Sequence, residues 1–125
     1  MGLSPARARR VLIVEDNPDN RLALHTLLEL WGYAVDEAPD GAQAIQLHLQ
    51  HRPEIALIDI GLPRMDGYEL ARHIRAEARG KRPYLVAVTG YGLPEDRKRT
   101  LEAGFDLHLV KPVSAATLAD VLARG

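Results

Sequence analysis

Hydrophobic residues along this chain come in short runs that alternate with stretches of helical period. Val11 to Val14 is a β-branched and leucine run, the composition of a buried strand. Asn17 then stands as an N-cap with Pro18 at the first helical position. Leu24, Leu27, Leu28 and Trp31 follow at i, i+3, i+4 and i+7, one face of a helix that Gly32 ends. Tyr33 to Glu37 reads as a second strand. Asp40 caps a second helix with Ala42, Ile45 and Leu49 inward, and Pro53 bars its continuation. Ile55 to Asp59 is a third strand. Asp66 and Gly67 open a helix that turns Leu70, Ile74 and Ala78 to one side. Tyr84 to Val88 is a fourth strand, and Pro94 starts a polar helix that stops at Gly104. Leu107 to Val110 is a fifth strand. Ser114 caps a last helix with Leu118, Val121 and Leu122 inward.

Five strand–helix units in strict alternation predict an α/β fold, with a parallel sheet, helices on both faces and right-handed crossovers. The expected form is a doubly wound, flavodoxin-like (βα)₅ sheet of strand order 2-1-3-4-5. No break in composition divides the 125 residues, so one domain is expected over 11–125. Residues 1–10, rich in arginine and alanine, read as a tail or linker. Acids number 17 and bases 16, a net charge of -1, so bulk charge gives no reason to expect contact with nucleic acid or membrane. There is no cysteine, which removes disulfides, thiolate chemistry and cysteine zinc sites. No apolar stretch reaches the length of a membrane span. VLIV is too short for a signal-peptide core, and Ala6 breaks the myristoylation pattern. A cytoplasmic domain is the expectation.

One acid stands out. Asp59 sits among Ile55, Ala56, Leu57, Ile58 and Ile60, where an unpaired carboxylate is costly. The predicted topology accounts for it. In open α/β sheets, function collects at the carboxyl ends of the strands, at a topological switch point. Glu15 and Asp16 end the first strand, Asp59 the third, Thr89 the fourth and Lys111 the fifth. With strands 1 and 3 adjacent, three carboxylates converge at the rim of the sheet. They cannot all stay ionised without help, and a hard divalent cation such as Mg²⁺ supplies it. Asp16 and Asp59 are suited to bind directly, Glu15 to hold a coordinated water, and the Gly61 carbonyl to complete the protein's share. Aspartate is a nucleophile for phosphoryl transfer. Lys111 and the Thr89 hydroxyl can hold the oxygens of the group transferred. Singly these residues have plainer readings: helix caps for Glu15 and Asp16, a turn for Thr89, nothing specific for Lys111. Complementary groups at the ends of four of five strands make the joint pattern informative.

VLIVEDNPDN, LIDIGLPRMDGYEL, AVTGY and HLVKP, in that order and spacing, resemble the receiver domain of two-component response regulators over roughly residues 11–123. The resemblance implies that Asp59 accepts phosphoryl from the phosphohistidine of a histidine kinase or a histidine phosphotransfer protein. It implies that Glu15 and Asp16 form the Mg²⁺ pocket, that Thr89 is the switch hydroxyl, and that Lys111 binds phosphate and precedes a cis proline. Receivers of this kind often carry Tyr or Phe three residues before the lysine. Here that place is His108, and Phe105 lies six before. GFDLHLVKPV and VTGYG are most similar to receivers of hybrid sensor kinases. Gly61 and Tyr91, each two residues past a site residue, are expected to set the lifetime of the phosphate. The signal is expected to leave through the face of the 94–103 helix, the fifth strand and the 114–123 helix, with His108 taking part.

The remaining polar residues read as surface. His48 and His51 fit a solvated helix face better than a metal pair, and His25 and His73 have no evident partner. Arg97, Lys98 and Arg99 read as an exposed helix face, and Trp31 as core or helix-end packing. Two other functions compete with a signalling module. An Mg²⁺-dependent aspartyl phosphatase needs a general acid/base beside its nucleophile, a part that neither Ile60 nor Gly61 can play. A pseudo-receiver that never takes phosphate has no use for the intact set Glu15, Asp16, Asp59, Thr89 and Lys111.

Overall fold

The computed structural model describes residues 9–77, 80–90 and 94–125, without the side chains of 94 and 95. The elements run β1 (Arg10–Val14), α1 (Pro18–Leu30), β2 (Ala34–Ala38), α2 (Gly41–His51), β3 (Ile55–Asp59), α3 (Gly67–Ala76), β4 (Tyr84–Thr89), α4 (Pro94–Ala103), β5 (Leu107–Val110) and α5 (Ala115–Arg124). All strand pairs are parallel, in the order β2-β1-β3-β4-β5. The expected caps are in place. The side chains of Asn17, Asp40, Asp66 and Ser114 each accept a hydrogen bond from the backbone N–H three residues on.

Alternation along the strands divides the core in two. Leu12, Val14, Ala56, Ile58, Leu85 and Ala87 pack against one helical layer with Leu70, Ala71, Ile74 and Phe105. Val11, Ile13, Ile55, Leu57 and Val86 pack on the other face with Leu28, Leu118, Val121 and Leu122. Every residue from Val11 to Val14 is at most 1% exposed, as a central parallel strand requires. The order places β1 between β2 and β3, so the chain leaves β1 in one direction and returns to its other side. That reversal opens a crevice above the carboxyl ends of β1 and β3.

Several expectations need correction. β1 starts at Arg10, β2 is shifted one residue later than Tyr33 to Glu37, and β4 extends to Thr89. α2 is rotated from the face expected of it. Gly41, Ala44 and His48 are buried, Ile45 is half-buried, Ala42 is exposed, and Leu49 is 45% exposed. The small residues decide this. A Cβ at Gly41 would lie 2.8 Å from Met65 Sδ, so glycine lets the helix start lie close against the loop before α3. His48 is then a core residue, its Nε2 3.6 Å from Glu77. Burial, helped by the charge of Arg52, holds its imidazole below its ordinary pKa, against the pull of Glu77. His51 pairs with Asp36 at 3.0 Å, and His25 with Glu37 at 2.7 Å. Trp31 is the C-cap of α1 and is 37% exposed, a helix-end role. Ala78 lies outside the described residues.

Candidate phosphoacceptor site

Four of the five strands deliver parts of the site. β1 ends at Val14, and the next two residues are the acids. Glu15 N–H still donates to Ala38 O at 3.0 Å, so the sheet holds Glu15 in place. Its side chain is buried, and its Oε2 accepts from the Asn17 N–H at 3.0 Å. Asp16, one residue on, is exposed. β3 ends at Asp59, whose Oδ1 accepts from the Gly61 N–H at 2.9 Å. Glu15, Asp16 and Asp59 each offer a carboxylate oxygen within 4.8 Å of the others. The three acids that sequence placed on two strand ends are therefore one cluster.

Lys111 lies across this cluster. Its Nζ is 3.0 Å from Asp59 Oδ2 and 3.5 Å from Glu15 Oε1. Partial burial pulls the ammonium pKa down, but the bond to Asp59 and the charges of both acids outweigh it, and the value is raised. For Glu15 the balance falls the other way. Burial pushes its carboxyl up, Asp59 adds to the rise, and the Asn17 N–H and Lys111 only partly offset it. Lys111 N–H donates to Thr89 O at 2.8 Å, and Lys111–Pro112 is cis. Thr89 is 5% exposed and shares a sheet face with Leu85 and Ala87. A cleft of about 540 Å³ opens beside Glu15, Asp59 and Lys111, walled by Asn20 and Leu24 of α1 and by Val113.

Gly61 is exposed, and a Cβ there would come only within 3.7 Å of Asp59 Oδ1, so the approach to the acid is open on that side. Tyr91 lies outside the described residues. His108 sits on β5 opposite Ala87 of β4, on the sheet face that Thr89 shares. Its Nδ1 is 3.4 Å from Thr100 Oγ1, and its Nε2 is buried with no hydrogen-bond partner among the described residues.

Two residues that position the site were not singled out for it in the sequence. Gly67 has no room for a side chain, since a Cβ would lie 2.9 Å from both Asp59 O and Ile60 Cα. Arg21 donates to the carbonyl oxygen of Glu15 at 2.9 Å. The pattern D-G before an apolar helix pointed at Gly67 as a helix start. Nothing local marked Arg21, because its partners are two backbone carbonyls and Glu37, which lies on another element.

Residues 11–123 match the response regulator receiver domain family. The chain belongs to that family. As a receiver domain it is 37% identical over 122 residues to the sensor protein GacS of Pseudomonas syringae pv. syringae, covering 95% of this chain and 14% of that protein. An uncharacterized 14.6 kDa protein of Leptolyngbya boryana is 36% identical over 108 residues, 86% of this chain and 82% of its own length. The receiver domain of a sensor histidine kinase from Pseudomonas aeruginosa PAO1, solved with a magnesium ion in its active site cleft, superposes with a TM-score of 0.85. The two are 38% identical, over 94% of this chain and 96% of that one. The chemotaxis protein CheY4 of Vibrio cholerae gives a TM-score of 0.88 at 28% identity, over 94% and 98% of the two chains. This receiver spans a small part of the sensor proteins it resembles and most of the stand-alone relatives.

Proposed function

We propose that this receiver is the phosphoacceptor of a two-component relay, and that Asp59 takes the phosphoryl group from a phosphohistidine. The observation that carries the reading is the cluster itself: three carboxylates on two adjacent strand ends, with a lysine ammonium 3.0 Å from the central one. The donor set is all oxygen, which suits Mg²⁺ and excludes a soft-metal site. Asp16 and Asp59 would hold the ion directly, Glu15 would hold it through a water, and the Gly61 carbonyl would complete the protein's share. When bound, Mg²⁺ neutralises the acids and the incoming phosphoryl oxygens.

The chain's own groups do the rest. A carboxylate oxygen of Asp59 attacks phosphorus in line. The bond from phosphorus to the donor's imidazole nitrogen breaks as the new P–O bond forms, and the imidazole leaves with the electron pair. Lys111 turns from its bridge between Asp59 and Glu15 to the phosphoryl oxygens, and the Thr89 hydroxyl donates to another. Hydrolysis returns the domain to its first state, at a rate tuned at Gly61 and Tyr91. The module thus catalyses its own phosphorylation and dephosphorylation and has no turnover substrate. The donor is a histidine kinase or histidine phosphotransfer protein in the cytoplasm, and the reader is a protein that meets the α4–β5–α5 face, with His108 in the switch. The unit is taken to begin at β1, which opens at Arg10.

The test is direct. Incubation with a small acyl phosphate and Mg²⁺ adds one phosphate to the intact mass. The adduct disappears on omission of Mg²⁺ and in Asp59→Asn. An adduct of equal yield in Asp59→Asn refutes the assignment.

A further inference from the structure

The turn between β1 and α1 holds two acids in sequence, Glu15 and Asp16, beside a third, Asp59. Mutual repulsion favours opening this turn, so something must hold it. The Asn17 N–H bond to Glu15 Oε2 holds the nitrogen edge of the Asp16–Asn17 peptide and leaves its carbonyl edge to be held by another group. Arg21, one turn into α1, addresses that backbone. One guanidinium nitrogen, Nη1, donates to Glu15 O at 2.9 Å and approaches Asp16 O at 3.4 Å. These carbonyls belong to the two peptides on either side of the Asp16 Cα, so a single group bonded to both restrains the backbone of Asp16 and with it the direction of its side chain.

The arginine is itself held. Its Nε lies 3.4 Å from Glu37 Oε1, and its side chain is only 19% exposed. The other oxygen of Glu37 is taken by His25 Nδ1 at 2.7 Å, and His25 Nε2 faces Glu29 at 3.3 Å. Glu37 is placed by β2, where it pairs in register with Ile13, two residues before Glu15. An ordinary half-exposed ion pair between α1 and β2 would contribute little. The bonds to Glu15 O and Asp16 O give this one a direction toward the acidic pocket.

We propose that Arg21, oriented by Glu37, is a positioning residue that presets the Glu15–Asp16 turn for Mg²⁺, an inference that rests on the phosphoacceptor reading above. Arg21 does not touch the ion or the phosphoryl group. It acts by restraining the backbone of Asp16. Partners of this kind, one step removed from the ligands, typically change metal affinity by about 10–100-fold when lost.

The experiment compares wild type with Arg21→Met, which keeps the apolar stem, Arg21→Lys and Glu37→Gln. Mg²⁺ is titrated against the ¹⁵N–¹H signals of Asp16 and Asn17, and the rate of phosphorylation by an acyl phosphate is followed across the same Mg²⁺ range. Arg21→Met weakens Mg²⁺ binding by about tenfold. Its phosphorylation rate is low at limiting Mg²⁺ and returns to near wild type at saturation, a recovery that general damage to the fold does not give. Arg21→Lys lies between. Glu37→Gln changes affinity in the same direction by less, and adds nothing in combination with Arg21→Met. Should Arg21→Met not fold, Glu37→Gln, which leaves Arg21 present but unpinned, carries the test. A wild type that binds Mg²⁺ while all three variants bind it within twofold overturns the positioning role alone. A wild type that binds no Mg²⁺ overturns this inference and the phosphoacceptor reading together.

Discussion

Of the three clustered carboxylates, Glu15 is the buried one, and the fold resists its charge. Burial and the nearby Asp59 raise its pKa, so the folded chain holds a proton there more tightly than the unfolded chain does. The linkage has a definite sign. Where the folded state binds more protons, stability falls as pH rises, and the full cost is present once pH exceeds the raised folded value. Glutamine keeps the shape and an acceptor for the Asn17 N–H but carries no charge. Glu15→Gln therefore melts higher than wild type at neutral pH without metal, by about 1–5 °C on the scale where roughly 1 kcal/mol moves Tm a few degrees. Its advantage closes as pH falls below the ordinary glutamate range, where Glu15 is protonated in both states. The same variant binds Mg²⁺ more weakly. Scanning calorimetry across pH checks the first effect and a Mg²⁺ titration the second. Equal melting at neutral pH would show that Lys111 already compensates the charge in full.

At the scale of elements, the junction between β3 and α3 decides where Asp59 points. Gly67 N–H donates to Ile60 O at 3.1 Å, which draws the start of α3 against the end of β3. A methyl group at 67 would lie 2.9 Å from Asp59 O and from Ile60 Cα. Both are backbone atoms, which cannot swing aside as a side-chain tip does. Gly67→Ala is therefore expected to cost about 1–3 kcal/mol, the range for overpacking a well-filled site. It should also slow phosphorylation by displacing Asp59. Gly61→Ala is the control, since its Cβ would meet only Asp59 Oδ1, at an ordinary 3.7 Å. Urea denaturation of both variants separates them. A Gly67→Ala protein as stable as Gly61→Ala would mean that α3 can shift without disturbing β3.

At the scale of the whole molecule, the paired strands β4 and β5 connect the site to the α4–β5 surface. Thr89 and His108 share a sheet face, and Thr100 of α4 closes over His108. The Thr100 hydroxyl proton is given to Asp96 O at 2.7 Å, so Thr100 meets the imidazole as an acceptor. With the ring proton on Nδ1, the buried Nε2 is an acceptor that meets no donor among the described residues. An unmet buried acceptor costs about 1–3 kcal/mol, enough to bring a second position of the ring close in energy. With a phosphate mimic on Asp59, the His108 ring signals and the amides of α4, β5 and α5 are expected to shift in NMR spectra. Thr100→Val removes the hydroxyl, weakens the hold on His108, and moves the unphosphorylated spectrum toward the mimic-bound one. Amide shifts that survive intact in His108→Ala would show that the readout bypasses the histidine.

The sequence by itself determined the alternation of strands and helices, the caps at Asn17, Asp40, Asp66 and Ser114, and the strand ends that carry Glu15, Asp16, Asp59, Thr89 and Lys111. These are local properties: apolar period, side-chain capping and the reach of the backbone within a few residues. The convergence of those strand ends in one crevice followed from the expected strand order, but only the tertiary structure decided how the helices roll and which groups outside the strand ends meet. The apolar residues of α2 favoured Leu49 as inward, but the face that packs carries Gly41, Ala44 and His48 instead. Of the two partners of His25, Glu29 stands at i+4 on the same helix and was open to a local reading, whereas Glu37 is 12 positions away and reaches it only when β2 lies beside α1. Arg21 carried no motif because its targets are carbonyl oxygens, which every residue has. Periodicity records which side of an element is apolar. Whether a small residue admits close packing, and whether a charge finds its partner, depends on the neighbour that folding brings.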